Sequence, residues 1–418
     1  MKKFYHQLIT LFILTQFLFT GNAGAQTSFL KTDAAIQAVV NEINQDSIRN
    51  IILTLQNYGT RFMNNANRKQ IYKWIKSKFL SYGYTDVVID SFYCNTTFHS
   101  LGISMQYNVI AKLPGLATPS SYFITAGHYD SFCTQDLYNA PGADDDASGT
   151  AAVLEAARAV KKLNYQPAST LLFIAFASEE VMNYGDSGSK HYSSAAKNNG
   201  MDIKLMINND MIAYSPYNPE YSIVDINYYE GYEYLRDFAK SAASAYSKVP
   251  PINGAYNQMA DGYPFYANGF PVVYFEEHIF SPFYHSTSDR VDNYNMPYCT
   301  EIAKASCATL LAYQQSLTPV ERNLELPVGF VLCQNYPNPF NPSTIIEYSL
   351  PPHAGMNTHV SLKVFDILGR EVALLVNEVQ SPGKYRVNFN GNNLAGGNYF
   401  YALNAGMTTI TKKLTLLK

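Results

Sequence analysis

Between residues 122 and 275 the chain alternates between short, continuously apolar runs and longer stretches with helical spacing. The apolar runs are Tyr122–Ala126, Thr170–Ala177, Ile203–Ile207 and Phe270–Phe275. Thr150–Leu163, Gly188–Asn198 and Tyr232–Ala245 carry the helical spacing between them. A strand apolar on both faces must be covered on both faces, and helices interleaved in sequence supply that cover. The pattern predicts an α/β unit, a mixed, mostly parallel sheet flanked by helices. Upstream, Asp33–Tyr58 and Asn67–Ser81 add helical patterns, the first with apolar positions that include Ile51, Ile52 and Leu55, the second with Ile71, Trp74, Ile75, Phe79 and Leu80 on one face.

The character changes after about Leu317. A stretch rich in Pro and Asn is followed by short alternating runs at residues 360–364, 385–389 and 399–403, separated by turn residues such as Pro382-Gly383 and Gly396-Gly397. That spacing predicts a small all-β, immunoglobulin-like sandwich. The N-terminus carries Lys2 and Lys3, an apolar stretch from Leu8 to Phe19, and Ala23-Gly24-Ala25 before Gln26. This is the pattern of a secretory signal peptide; the apolar stretch is short for a membrane span and contains Thr15 and Gln16. The expected organisation is a signal peptide over 1–25, an α/β domain over 26–318, a linker over 319–330 and a β-sandwich over 331–418. No other segment is apolar enough to cross a bilayer, so the mature chain is expected to be exported without a transmembrane segment.

The 418 residues exceed one ordinary domain, and 47% hydrophobic against 15% charged residues describes a chain with a large core. A formal net charge of −3 gives no footprint for nucleic acid. Five cysteines (Cys94, Cys133, Cys299, Cys307 and Cys333) include no C-x-x-C pair, which disfavours a thiolate metal site and assigns no disulfide.

Open α/β sheets collect their chemistry at the carboxyl ends of the strands. The first run here ends in Gly127-His128-Tyr129-Asp130, the second in Ser178-Glu179-Glu180 and the third in Asn208-Asn209-Asp210. The loop after the fourth carries His285 and Asp289. Three consecutive aspartates, Asp144, Asp145 and Asp146, precede the helical run from Thr150. Singly, each has an ordinary reading: a helix cap, a turn, a solvated face or a satisfied histidine. Together, four strand ends that all carry His, Asp or Glu point to a metal, which turns clustered carboxylates from a liability into ligands.

The set "GHYD", "GADDDASG", "SEE", "NDM" and "YHSTSD" resembles the M28 family of zinc metallopeptidases, over roughly residues 50–317. The resemblance implies a zinc exopeptidase fold and two zinc ions per chain. One ion would be held by His128 and Asp210, the other by Glu180 and His285, and Asp145 would bridge them. It also implies that Asp130 orients the His128 imidazole, that Asp144 and Asp146 are backbone or capping partners, and that the peptide bond after Asp145 is cis. Glu179 would be the general base acting on a metal-bridging water. Tyr284 matches a tyrosine that in some members donates to the developing oxyanion; as a residue it reads equally as an aromatic packed beside His285. The sequence departs from the family at residues 260–265, where Asp261 is kept but the flanking serine and histidine of many relatives are absent. Aromatics within 214–217 and 280–283 read either as core or as the lining of an apolar side-chain pocket.

The function implied is a zinc-dependent aminopeptidase acting on peptides or proteins. The same fold also hosts glutaminyl-peptide cyclotransferases, carboxypeptidases and non-catalytic receptor ectodomains; the full ligand set with Glu179 argues for hydrolysis. Residues from about 330 to 418, with "QNYPNPFNPSTIIEYSLP" and "VSLKVFDILGREV", resemble the type A sorting domain of the type IX secretion system. That resemblance implies export through the periplasm to the cell surface or beyond, with the secretion machinery as a partner.

Overall fold

A computed structural model describes residue 30 and residues 32–317, 330–350, 358–380, 383–406 and 408–417. The expected signal peptide and nearly all of the expected linker lie outside the described residues. The chain divides into two compact units, Met1–Thr318 and Pro319–Lys418.

The first unit runs α1 (Ala34–Asn41), α2 (Gln45–Gln56), α3 (Arg68–Ser81), β1 (Asp86–Thr96), β2 (Gly102–Leu113), β3 (Thr118–His128), α4 (Ala147–Lys162) and β4 (Ser169–Phe176). It continues α5 (Gly188–Asn198), β5 (Asp202–Asn209), β6 (Val224–Tyr228), α6 (Glu233–Tyr246), β7 (Pro251–Asn253), α7 (Gly262–Ala267), β8 (Val272–Glu277) and α8 (Met296–Leu317). One eight-stranded sheet, ordered β1-β2-β4-β3-β5-β8-β6-β7, holds them together. Its centre, β4-β3-β5-β8, is parallel, while β1, β2 and the β6/β8 pairing are antiparallel. Every residue of β4 is buried, as a strand covered by helices on both faces requires.

The helical pattern over 33–58 is two helices rather than one. Asn44 takes an extended conformation and its side chain caps α2 by accepting from the Ser47 amide at 2.9 Å. Beyond it Ile48, Ile51, Ile52 and Leu55 form the buried stripe. The run beginning at Thr150 starts earlier, at Ala147, because Asp146 is the cap. The β1–β2 hairpin, β6, β7, α7 and α8 had no counterpart in the sequence reading. Most of α8 is buried around its whole circumference, so its residues carry little helical alternation.

The register of the central strands sets the site. His128 pairs with Phe176, Ala126 with Asn208 and Asn209 with Phe275. The four parallel strands therefore end at one level, and the residues that follow each of them emerge side by side.

The second unit contains β9 (Val331–Leu332), β10 (Ser343–Leu350), β11 (Thr358–Phe365), β12 (Glu371–Gln380), β13 (Gly383–Asn390), β14 (Gly397–Ala405) and β15 (Thr408–Leu416). They form two antiparallel sheets, β13-β10-β9 and β12-β11-β14-β15. Ile346, Tyr348, Val360, Leu362, Tyr401 and Leu414 belong to its own core, as an all-β sandwich demands. Among the described residues no helix is long and apolar enough to cross a membrane. All five cysteines are free.

Candidate metal centre

The aspartate triplet does three different jobs. Asp146 caps α4: its Oδ1 accepts from the Gly149 amide at 2.7 Å and its Oδ2 from the His128 amide at 3.0 Å, tying the helix start to the end of β3. Asp144 Oδ1 accepts from the Ala213 amide at 2.8 Å. Asp145 is left facing the opening between the strand ends, with a cis bond to Asp146. Asp289 holds the backbone of this turn, accepting from the amides of Asp144 (2.8 Å) and Asp145 (3.2 Å). Gly149 allows the close approach of α4, since a Cβ there would lie 2.1 Å from the Asn209 carbonyl oxygen.

The two oxygens of Asp145 face two different histidines. Oδ1 is 3.2 Å from His128 Nε2, and Oδ2 is 3.0 Å from His285 Nε2. Asp210 Oδ1 lies 3.6 Å from the first imidazole and Glu180 Oε2 lies 2.8 Å from the second. Donor atoms of His128, Asp145 and Asp210 fall within 4.8 Å of one another, as do those of Asp145, Glu180 and His285. His285 Nε2 and Glu180 Oε1 are nonetheless buried without a hydrogen-bond partner. Close approach without hydrogen-bond geometry means that these lone pairs converge on shared points, which is where a cation fits. Imidazole nitrogens with carboxylate oxygens are a donor set suited to zinc.

The shell around these donors is ordered by few residues. Asp130 Oδ1 accepts from the Glu179 amide at 3.0 Å and Oδ2 from the Glu180 amide at 3.3 Å, while Oδ1 lies 3.5 Å from His128 Nδ1. One carboxylate thus links the end of β3 to the turn after β4. Ser178, Met211 and His285 all adopt left-handed backbone angles, with φ of 62°, 54° and 51°. Such residues are uncommon outside glycine, and they concentrate where function demands an otherwise costly turn.

Burial by itself would raise the Asp145 pKa, but the His128 and His285 imidazoles at its two oxygens hold it below the usual carboxylate range. Burial pulls the His285 imidazole down, yet Glu180 and Asp145 outweigh it and carry its pKa up to about 10. Glu179 is pushed well above its ordinary value by burial, with Asp210, Asp261 and Glu180 adding to the shift and His128 opposing it. Its Oε2 stands 3.9 Å from His128 Nε2. A buried carboxyl beside the donors, with a raised proton affinity, is suited to taking up and returning a proton.

All seven residues singled out as ligands, base or orienting carboxylate meet here. Tyr284 lies at the edge, its ring stacked on His285 at 3.7 Å between centroids, with 38% of the residue exposed. Phe132 meets the same imidazole edge-on at 4.8 Å. Of the aromatics flagged in sequence, Tyr214 and Tyr217 line a cavity of about 310 Å³ with Tyr221, His278, Ile279 and Tyr298. Phe283 instead packs edge-on against Tyr214 and Tyr294. Asp261 is fully buried, and neither of its oxygens has a hydrogen-bond partner.

Arg61 was not legible. It is 1% exposed and donates to the carbonyls of Tyr129 (2.6 Å), Pro141 (2.5 Å) and Gly142 (2.7 Å), a buried cation under the turn that carries Asp145. Burial lowers its pKa, and the fields of Asp289, Asp130, Asp146 and Asp145 work against that. A single arginine between α2 and α3 carries no spacing signal; only the fold reveals what it holds.

Residues 108–310 match the family model of peptidase family M28, and residues 334–416 match that of a secretion system C-terminal sorting domain. A curated relative from Pyrenophora teres f. teres, described as a probable zinc metalloprotease, is 32% identical over 208 residues, 46% of this chain and 42% of the relative. The chain thus spans less than half the length of that relative. Among solved structures, the LapA aminopeptidase of Legionella pneumophila superposes with a TM-score of 0.56 at 20% identity, covering 74% of this chain and 79% of that one. A glutaminyl cyclase of Bacteroides thetaiotaomicron bound to N-acetylhistamine superposes with a TM-score of 0.53 at 17% identity, covering 65% and 98%. At these identities the structural likeness establishes the fold, which the two proteins share with the first unit. The family matches thus assign residues 108–310 to a peptidase family M28 domain and residues 334–416 to a secretion system C-terminal sorting domain.

Proposed function

We propose that this chain is an exported zinc-dependent exopeptidase, an aminopeptidase that removes N-terminal residues from peptides. The observation that carries the reading is Asp145, whose two oxygens each face a separate histidine–carboxylate pair while Glu179 stands beside them as an uncommitted carboxyl. His128 and Asp210 would hold one ion, Glu180 and His285 the other, and Asp145 both. Two zinc ions there would acidify a water and polarise the scissile carbonyl. The three carboxylate ligands, Asp145, Glu180 and Asp210, carry −3 against a nominal +4, so the converging carboxylates are balanced rather than self-repelling.

Glu179 is the base of this reading: it accepts the proton of the attacking water and delivers it to the leaving amine. Asp130 supports both sides of the step: its backbone carbonyl oxygen at 3.2 Å and its carboxylate at 3.5 Å face His128 Nδ1, and the carboxylate fixes the amides of Glu179 and Glu180. In this reading the Tyr284 hydroxyl is the donor to the oxyanion, which its ring's stacking on His285 at the edge of the site supports. The sorting domain supports delivery to the cell surface or beyond by the type IX machinery, after passage through the periplasm.

A glutaminyl cyclase is the rival reading, favoured by the likeness to the Bacteroides enzyme. Metal analysis together with an aminoacyl chromogenic panel separates the two. About two zinc ions per chain, and hydrolysis that falls by a factor on the order of 10² to 10⁴ in Glu179→Gln while zinc is retained, is the expected outcome. One zinc per chain, with cyclisation of N-terminal glutamine and no hydrolysis, would overturn it.

A further inference from the structure

Glu179 and Glu180 ride on one excursion of the chain, the segment between the end of β4 and the start of α5, and both ends of that segment meet a single side chain. The β2–β4 ladder stops at the Val109–Ala175 pair. One residue before Val109, Asn108 is fully buried, and its Oδ1 accepts at 3.1 Å from the amide of Ala177, the first residue beyond β4. Its Nδ2 donates at 3.1 Å to the carbonyl of Gly188, the first residue of α5. The Gly188 amide in turn donates to the Ala177 carbonyl at 2.8 Å. The base of residues 177–188 is thus closed by hydrogen bonds, most of them to Asn108. A buried amide beyond the last rung of a ladder needs such a partner.

The contact is held in place from behind. Asn108 Nδ2 also donates to Asp90 Oδ2 at 3.0 Å, and Asp90 Oδ1 lies 3.1 Å from His191 Nε2, whose ring stacks on Phe92 at 4.9 Å with planes 11° apart. A carboxylate accepts and does not donate, so Asp90 fixes which end of the amide faces Ala177. Gly188 permits the approach, since a Cβ there would lie 2.1 Å from Asn108 Oδ1.

The turn so gripped leads directly to the base. Ser178, between Ala177 and Glu179, holds a left-handed φ of 62°, an angle a residue other than glycine keeps only where its surroundings over-determine it. Asp130 holds the amides after Ser178, and Asn108 holds the amide before it. Between these two holds Glu179 Oε2 stands 3.9 Å from His128 Nε2. We propose that Asn108 is a positioning residue for Glu179. By gripping both ends of residues 177–188 it sets where the Glu179 carboxyl stands beside the metal donors, acting through backbone and touching neither metal nor substrate. The inference rests on the peptidase reading, in which Glu179 is the base.

The test is a double-mutant cycle on the zinc-loaded full chain with an aminoacyl chromogenic substrate. Asn108→Ala should lower kcat roughly 10- to 100-fold, the cost of a displaced catalytic group, with KM and zinc content unchanged. Made in Glu179→Gln, the same substitution should change the residual rate by about twofold or less, because the group it positions is already gone. If Asn108→Ala does not fold, Asn108→Ser takes its place in the cycle with the same expectations. An unchanged kcat, a fall explained by lost zinc, or an equal fall in both backgrounds would overturn the assignment. Should the parent hydrolyse no peptide, the peptidase reading fails, and the grip of Asn108 is judged by amide hydrogen exchange in the zinc-loaded chain. Faster exchange confined to residues 177–188 in the variant supports it, and an unchanged pattern rejects it.

Discussion

Asp289 and Asp145 are joined through backbone rather than side chain: the Asp289 carboxylate bridges the amides of Asp144 and Asp145, so the carboxylate of Asp145 is free to face both histidines. Asp289→Asn keeps the shape but sets an amide NH₂ against a backbone N–H. The expected cost is about 1–3 kcal/mol in urea unfolding of the metal-free chain. Zinc affinity should fall by roughly 10- to 100-fold in a competition titration, as for other residues that orient ligands. An unchanged zinc affinity would mean that the turn is held without Asp289.

Chelation is the second lever. Without a cation, Asp145, Glu180 and Asp210 converge as buried carboxylates close to two imidazoles. Zinc at a thousandfold excess over its dissociation constant adds about 4 kcal/mol, which corresponds to a rise in Tm of roughly 10 °C for a domain of this size. Calorimetry after EDTA treatment should show the loss and zinc should reverse it. Calcium should not, because two imidazole donors suit it poorly.

The pH dependence of stability has an identifiable contributor that is not itself a metal donor, Glu276. Burial raises Glu276 from 4.5 to about 7, with Asp210 adding to the shift and the Asn227 side chain, donating at 2.6 Å, opposing it. The folded state holds this proton more tightly than the unfolded one. Stability from Glu276 is therefore full below about pH 4.5, declines as pH rises and is lost above about pH 7, a change of up to roughly 3 kcal/mol. Glu276→Gln should match the parent at low pH and exceed it at pH 8 when metal-free chains are unfolded in urea. A constant difference at all pH values would exclude the titration.

Gly149 is the steric test. A methyl group there meets the Asn209 carbonyl oxygen at 2.1 Å and both Asp146 oxygens at 2.6 Å. Gly149→Ala should cost about 1–3 kcal/mol through backbone displacement. It should also shift zinc binding, because Asp146 and Asp210 flank the contact. Thermal unfolding and zinc titration of the same variant measure both.

The strand ends were legible because apolar runs mark where a buried strand stops, and polar residues placed immediately after such stops are few enough to stand out. His128, Glu179, Glu180, Asp210 and His285 each follow such a run within a short distance, and the triplet precedes a helix. The separate jobs of Asp144, Asp145 and Asp146 could be read only by likeness to a family, since three identical neighbours carry no internal distinction. Arg61 and the bridging carboxylate of Asp289 act through backbone atoms of segments remote in sequence, and such contacts leave no periodicity.

The common level at which β4, β3, β5 and β8 end has a consequence for when the protein can act. The donors span His128 to His285 and meet only through strand register, in which one residue of slip moves a side chain by about 3.3 Å and turns it to the opposite face. An unfolded chain therefore owns all the chemistry in its sequence and none of it in space. Latency is built into the topology: the chain is inert wherever it is unfolded, and the capacity to bind metal appears together with the finished sheet.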